Sequence, residues 1–216
     1  MLAPILILDK RELWKPVDVE RSLSVHGYTW NGGWTKDGDT KPVSRINLPA
    51  SMKPEDFAML SPTGYHRVAR GGGLWWHQYW TWWPYNPKKY AGYGEHEGDW
   101  EMVQLGCVDE EGDQPVMMTC SQHGGGEKHE FWRVSIDEND QPQVYVARDS
   151  HANYFSPVRD VTDVADGDGP KLALTWKDFP AWALWPGQWG NSANSPGPLS
   201  VRRAWKAPHA YHAQCR

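Results

Sequence analysis

The chain has 216 residues, 39% of them apolar, with a formal net charge of −5 and a mean hydropathy of −0.72. That length suits one domain, 1–216, with a sizeable core, and so polar a chain leaves no room for a membrane-spanning helix. Lys and Arg number 22 against 27 Asp and Glu, with no basic run longer than two, so nucleic acid is not an expected partner.

Plentiful Gly (21) and Pro (17) favour many short strands joined by tight turns. Residues 4–9 form a nearly continuous apolar run, as a strand buried on both faces does. With no basic stretch before it, this segment reads as a first strand and not a signal peptide, which makes the cytoplasm the expected location. Residues 17–20 suit a turn or short helix, and 27–42 a loop. A helix is expected over 52–60, with Ser51 as its cap and Pro54 in its first turn. Gly71, Gly72 and Gly73 read as a hinge or a close backbone approach.

Residues 74–85 hold seven Trp and Tyr side chains and one His in twelve. As a strand, they would put Trp75, His77, Tyr79, Thr81 and Trp83 on one face. The chain carries 15 Trp, more than a core of this size usually needs, so some are expected to line a groove. The expected ligand cleft is built from Trp75, His77, Tyr79, Trp83, His151 and Asn153.

The acidic stretch Gly94-Glu95-His96-Glu97-Gly98-Asp99-Trp100-Glu101 follows a break at 86–89. If 100–108 is a strand, Asp99 and Glu101 point the same way, about 7 Å apart. Two carboxylates that close repel unless a cation joins them, and His96 on its Gly-flanked turn can swing onto the same face. Oxygen donors with one imidazole suit Ca²⁺, Mg²⁺ or Mn²⁺ better than a thiolate-seeking ion. The plainer alternative is a solvated acidic loop leading into a strand.

Beyond it, 115–122 pairs back as a hairpin, 123–126 is a loop, and 131–136 with 143–148 form a second hairpin. His123 and His129 flank the Gly-rich loop and are expected at the surface. His151 reads either as a structural histidine or as a proton-transfer group across from Glu101, with Ser150 and Asn153 orienting it. Ser150 and His151 are adjacent on the chain and cannot form the working half of a triad. The acidic loop at 157–170 does not match an EF-hand. A turn-rich stretch covers 191–198, and the tail from 201 reads as a last strand. Cys107, Cys120 and Cys215 are an odd number without CxxC spacing, so no disulfide scaffold is expected.

Three runs, QYWTWWPYN (78–86), HEGDWE (96–101) and VYVARDSHANY (144–154), together resemble the vacuolar protein sorting-associated protein 62 family. The N-terminal Ala3-Pro4-Ile5-Leu6 and the late Trp185-Pro186-Gly187-Gln188-Trp189-Gly190 extend that resemblance over nearly the whole chain. More distantly, Asp99-Trp100-Glu101 is similar to the end of the GHRHDWE heptapeptide of the necrosis- and ethylene-inducing-peptide-like toxins. Those toxins are two-sheet β-sandwiches that recognise sphingolipid sugar head groups. In them the Asp, the Glu and the first His surround a divalent cation. That resemblance implies His96, Asp99 and Glu101 as metal ligands, with Gly98 where the toxins carry their second His.

The resulting expectation is an all-β chain, a two-sheet antiparallel β-sandwich with one or two short helices. Its function would be divalent-cation-dependent binding of a glycan or lipid head group, with a membrane surface as a further partner class. The alternative is a cytoplasmic metal-assisted enzyme, a hydrolase or small-molecule cyclase, with Glu101 and His151 as catalytic groups.

Overall fold

The computed structural model describes residues 2–87, 94–123, 125–160, 163–191, 197–198 and 204–216. The break expected at 86–89 and the turn-rich stretch at 191–198 therefore lie partly outside the described residues. In chain order the elements are β1 (Ile5–Ile7), α1 (Val19–Val25), β2 (Tyr28–Trp30), β3 (Trp34–Lys36), β4 (Thr63–Gly71), β5 (Leu74–Asn86) and β6 (His96–Cys107). There follow β7 (Pro115–Gln122), β8 (Gly125–Glu130), β9 (Gln143–Val146), β10 (Asn153–Tyr154), β11 (Val158–Arg159), β12 (Val164–Ala165), β13 (Lys171–Leu172), β14 (Thr175–Asp178) and α2 (Pro208–Gln214).

The fold is all-β with two short helices. A six-stranded sheet has the order β14-β4-β5-β6-β7-β8, and a four-stranded one runs β10-β9-β1-β13. Strand β10 touches β6 and β7, so the smaller sheet meets the larger one beside the acidic stretch. The pairings are mostly antiparallel, as expected, with β1–β9 and β14–β4 parallel.

Long β5 and β6 form the spine. Their ladder is unshifted from Trp75 opposite Cys107 to Asn86 opposite His96, and every residue of β6 is buried. One face is filled by indoles: Trp82, Trp100 and Trp189 contact one another with centroids 5.3–5.5 Å apart. Trp182 lies 6.1 Å from Trp100 and 5.7 Å from Trp189. Burying an indole removes about 150–250 Å² from water, roughly 4–6 kcal/mol gross each. Seven Trp, among them Trp76, Trp80 and Trp83, are under 2% exposed. The Trp excess is thus a core of rings where other folds use Leu and Ile.

Several local expectations are corrected. The 27–42 loop contains the β2–β3 hairpin, and the 52–60 helix shrinks to one 3₁₀ turn at Pro54–Phe57. The three glycines turn β4 into β5, Gly72 and Gly73 both having positive φ as a tight hairpin requires. Strand β8 takes up Gly125 and Gly126 of the 123–126 loop, a 3₁₀ turn occupies Phe131–Arg133, and the second hairpin is reduced to an antiparallel bridge between Ile136 and Pro142, while β9 pairs with β1. The tail ends in α2, opened by Pro208 in its first turn. All three cysteines are buried thiols.

Candidate functional site

The β5–β6 register places Trp83 opposite Asp99 and Thr81 opposite Glu101. Directly opposed residues share a face, so both carboxylates stand beside Trp83 on one side of the sheet. Asp99 and Glu101 are 8% and 3% exposed. They are buried groups, not members of a solvated loop.

Opposite them, the chain between β9 and β10 turns sharply. Asp149 and His151 have φ of 67° and 55°, and the turn is closed by hydrogen bonds from His151 N to Ala147 O and from Ala147 N to Ala152 O. This conformation lays the His151 ring flat on Trp83, centroids 4.1 Å apart and planes 7° from parallel. His151 Nδ1 is then 3.0 Å from Asp99 Oδ2. Its Nε2 has no hydrogen-bond partner among the described residues and lies 3.9 Å from Glu12 Oε2.

Glu12 is the residue that sequence reasoning missed. Its side chain is fully buried, accepting from Trp14 N at 2.8 Å and from Asp149 N at 2.6 Å. It therefore anchors the turn that carries His151. Asn86 adds a second anchor: with its amide nitrogen facing acceptors, it donates to the carbonyls of Asp149 and Gly94.

Around Glu101 the polar groups are also matched. Ser121 Oγ donates to Glu101 Oε2 and accepts from Met102 N at 2.9 Å and Asn153 Nδ2 at 3.4 Å. Next to this lies Asp163, fully buried in side chain, which receives Ser150 Oγ, His123 Nε2 and Tyr154 OH. Burial first, then the Asp163 hydrogen bond and the nearby carboxylates of Asp160 and Glu101, push the Tyr154 hydroxyl up and keep it protonated. Ser150 faces Asp163 while His151 faces Asp99, so no Ser–His pair exists.

The remaining expected residues divide. His96 is buried opposite Asn86, at the start of β6. Glu97 turns elsewhere, accepting from Leu48 N at 2.8 Å, and burial pushes its carboxyl up. Between them and Asp99 stands Gly98, with φ 64°, where a Cβ would come within 2.0 Å of Trp189 O and 2.3 Å of Trp82. No side chain fits there.

The proposed cleft residues do not form one open wall. Trp83, His151, Tyr79, His77 and Asn153 are each 3% exposed or less. Tyr79 donates to Leu2 O; His77 Nδ1 is 3.1 Å from His66 Nε2; Trp75 lies under Arg70. These three belong to the far half of β5, and only Trp83, His151 and Asn153 gather at the acidic stretch.

A different acidic trio, Asp9, Asp166 and Asp168, brings carboxylate oxygens within 4.8 Å of one another. Cations of the chain already neutralise it: Arg11 lies 2.8 Å from Asp9 and 3.0 Å from Asp166, Lys10 is 2.7 Å from Asp168, and Arg159 is 2.6 Å from Asp166. The Arg11 guanidinium holds the Asp9 carboxyl down at about 2.

No family model and no curated relative matches the chain, so nothing supports the resemblance to the vacuolar sorting family. Among solved structures, it is similar to NLPPya in complex with glucosamine, at 14% identity and TM-score 0.47, over 81% of this chain and 68% of that one. A non-toxic HaNLP3 protein gives 14% and 0.49, over 81% and 71%. Necrosis and Ethylene inducing Protein 2, from the agent of cocoa's Witches Broom disease, gives 19% and 0.45, over 90% and 74%. At such values the chain's function rests on its own residues.

Proposed function

We propose that the chain binds a polar ligand, a glycan or lipid head group, with a divalent cation held by Asp99 and Glu101 and completed by His96. The observation that carries this reading is the gathering of two buried carboxylates on one strand face against the Trp83–His151 stack. Buried carboxylates side by side are costly unless cationic or hydrogen-bonding groups offset them. Oxygen donors with one imidazole fit Ca²⁺, Mg²⁺ or Mn²⁺. When bound, the ion would supply positive charge to a hydroxyl-rich ligand. Trp83 acts as the floor beneath His151, and Asp99, 11% exposed in its side chain, is the point of access.

The test is calorimetric titration of hexoses and hexosamines into the protein with calcium, magnesium or manganese, and again with a chelator. Binding that disappears with the chelator supports the reading; binding indifferent to it, or none in any ion, refutes it.

A second reading, metal-assisted turnover, has one observation in its favour: the His151 ring stands between the carboxylates of Asp99 and Glu12, a setting suited to proton transfer. Glu101 would then act as base. Glu101→Gln that keeps ligand affinity but stops turnover selects this reading.

A further inference from the structure

A depression of about 460 Å³ opens on the β8 side of the larger sheet, lined among others by Gln122, Glu127, Lys128, His129, Arg133 and Arg216. Its charge runs against that of the chain. Arg133 and Arg216 line it beside a single acidic residue, Glu127, on a protein whose net charge is −5. Glu127 is already engaged: Oε1 lies 3.2 Å from His129 Nε2, and Oε2 accepts from Gln122 Nε2 at 3.2 Å. Lys128 donates to Ala213 O at 3.4 Å. Arg133 has the Trp132 ring beside it, at 5.9 Å. Neither Arg133 nor Arg216 makes an ion pair among the described residues.

His129 stacks on Phe155, centroids 4.1 Å apart and planes 9° from parallel, and its buried Nδ1 has no hydrogen-bond partner among the described residues. Tyr154, Ser156, Pro157 and Val158 also line it, the Tyr154 hydroxyl being committed to Asp163.

We propose that this depression is a second binding site, apart from the acidic one, for the carboxylate of an acidic monosaccharide. A guanidinium fork matches a planar carboxylate, and an unpaired one loses no existing partner on binding. Glu127 and Gln122 offer acceptors to sugar hydroxyls, while the same Glu127 disfavours a doubly charged phosphate. The volume falls within the range of small-molecule pockets.

The experiment titrates glucuronate, glucose and inorganic phosphate, at low salt, into wild type, Arg133→Gln and Asp99→Asn. Arg133 is exposed, so its replacement leaves the core intact. Glucuronate is expected to bind at least ten-fold tighter than glucose and to weaken by about ten-fold in Arg133→Gln, as loss of a charged hydrogen bond does. It should bind Asp99→Asn as it binds wild type, which separates this site from the acidic one. Equal binding of glucose, wild-type affinity in Arg133→Gln, or binding of phosphate in place of glucuronate overturns the proposal.

Discussion

His151 lies flat on Trp83, 4.1 Å between centroids, and this stack fixes where the imidazole of the 149–152 turn meets Asp99. A ring on a fully buried indole cannot rotate without opening the core, so Trp83 sets the position and Glu12 the approach of the turn. Trp83→Ala is expected to lower stability by about 3–5 kcal/mol, while Trp83→Phe keeps a ring beneath His151 and costs less. Urea unfolding of the two variants checks the order. Equal losses would mean the stack contributes only volume.

Glu12 offers a sharper test of the turn. Removing its carboxylate leaves Trp14 N and Asp149 N without acceptors in a buried place, at about 1–3 kcal/mol. Glu12→Ala is expected to lose that much stability, and Glu12→Gln less, since one amide oxygen still accepts. Hydrogen exchange at Asp149 N reads the effect locally. Unaltered exchange in Glu12→Ala would show that the anchor is unimportant.

Gly98 admits no substitute. Gly98→Ala sets a Cβ 2.0 Å from Trp189 O and adds about 1–2 kcal/mol for a left-handed residue with a side chain. Severe destabilisation is expected, read as a fall in thermal midpoint. A variant as stable as wild type would contradict the packing of Trp189 against β6.

The His66–His77 pair makes stability depend on pH. Burial first, then the neighbouring His77, hold His66 down at about 4 against an ordinary 6.5, and burial lowers His77 too. Between those values the unfolded chain binds more protons than the folded one, so stability rises with pH. Its contribution is complete above 6.5 and is lost as pH falls toward 4. Urea midpoints from pH 7 down to pH 4 should fall in wild type and fall less steeply in His66→Leu. Identical slopes would refute the pair's role.

The sequence made some of this legible and hid the rest for physical reasons. The common face of Asp99 and Glu101 could be read because a strand alternates with period two, whereas Trp83 joins them only through the unslipped pairing of β5 with β6. Strand β4 could not: its mixture of Gly, His and Arg has no apolar rhythm, and pairing with β5 and β14 holds it extended. Glu12 lies 137 residues from the Asp149 amide it accepts from, and no local spacing announces such a contact. Composition counted the indoles but could not say which way they point, and a groove and an aromatic core look alike in a tally. Asp163 stood in an acidic loop whose spacing pointed to nothing, yet it gathers Ser150, His123 and Tyr154.

The central claim is that Asp99 and Glu101 hold a divalent cation. Calorimetric titration of calcium, magnesium and manganese into wild type and Asp99→Asn tests it most directly, with thermal unfolding as a second readout. One ion per chain is expected to bind wild type, raise its midpoint, and lose at least ten-fold in affinity in the variant. A wild type that binds none of the three ions, or an Asp99→Asn protein that binds as wild type does, would contradict it.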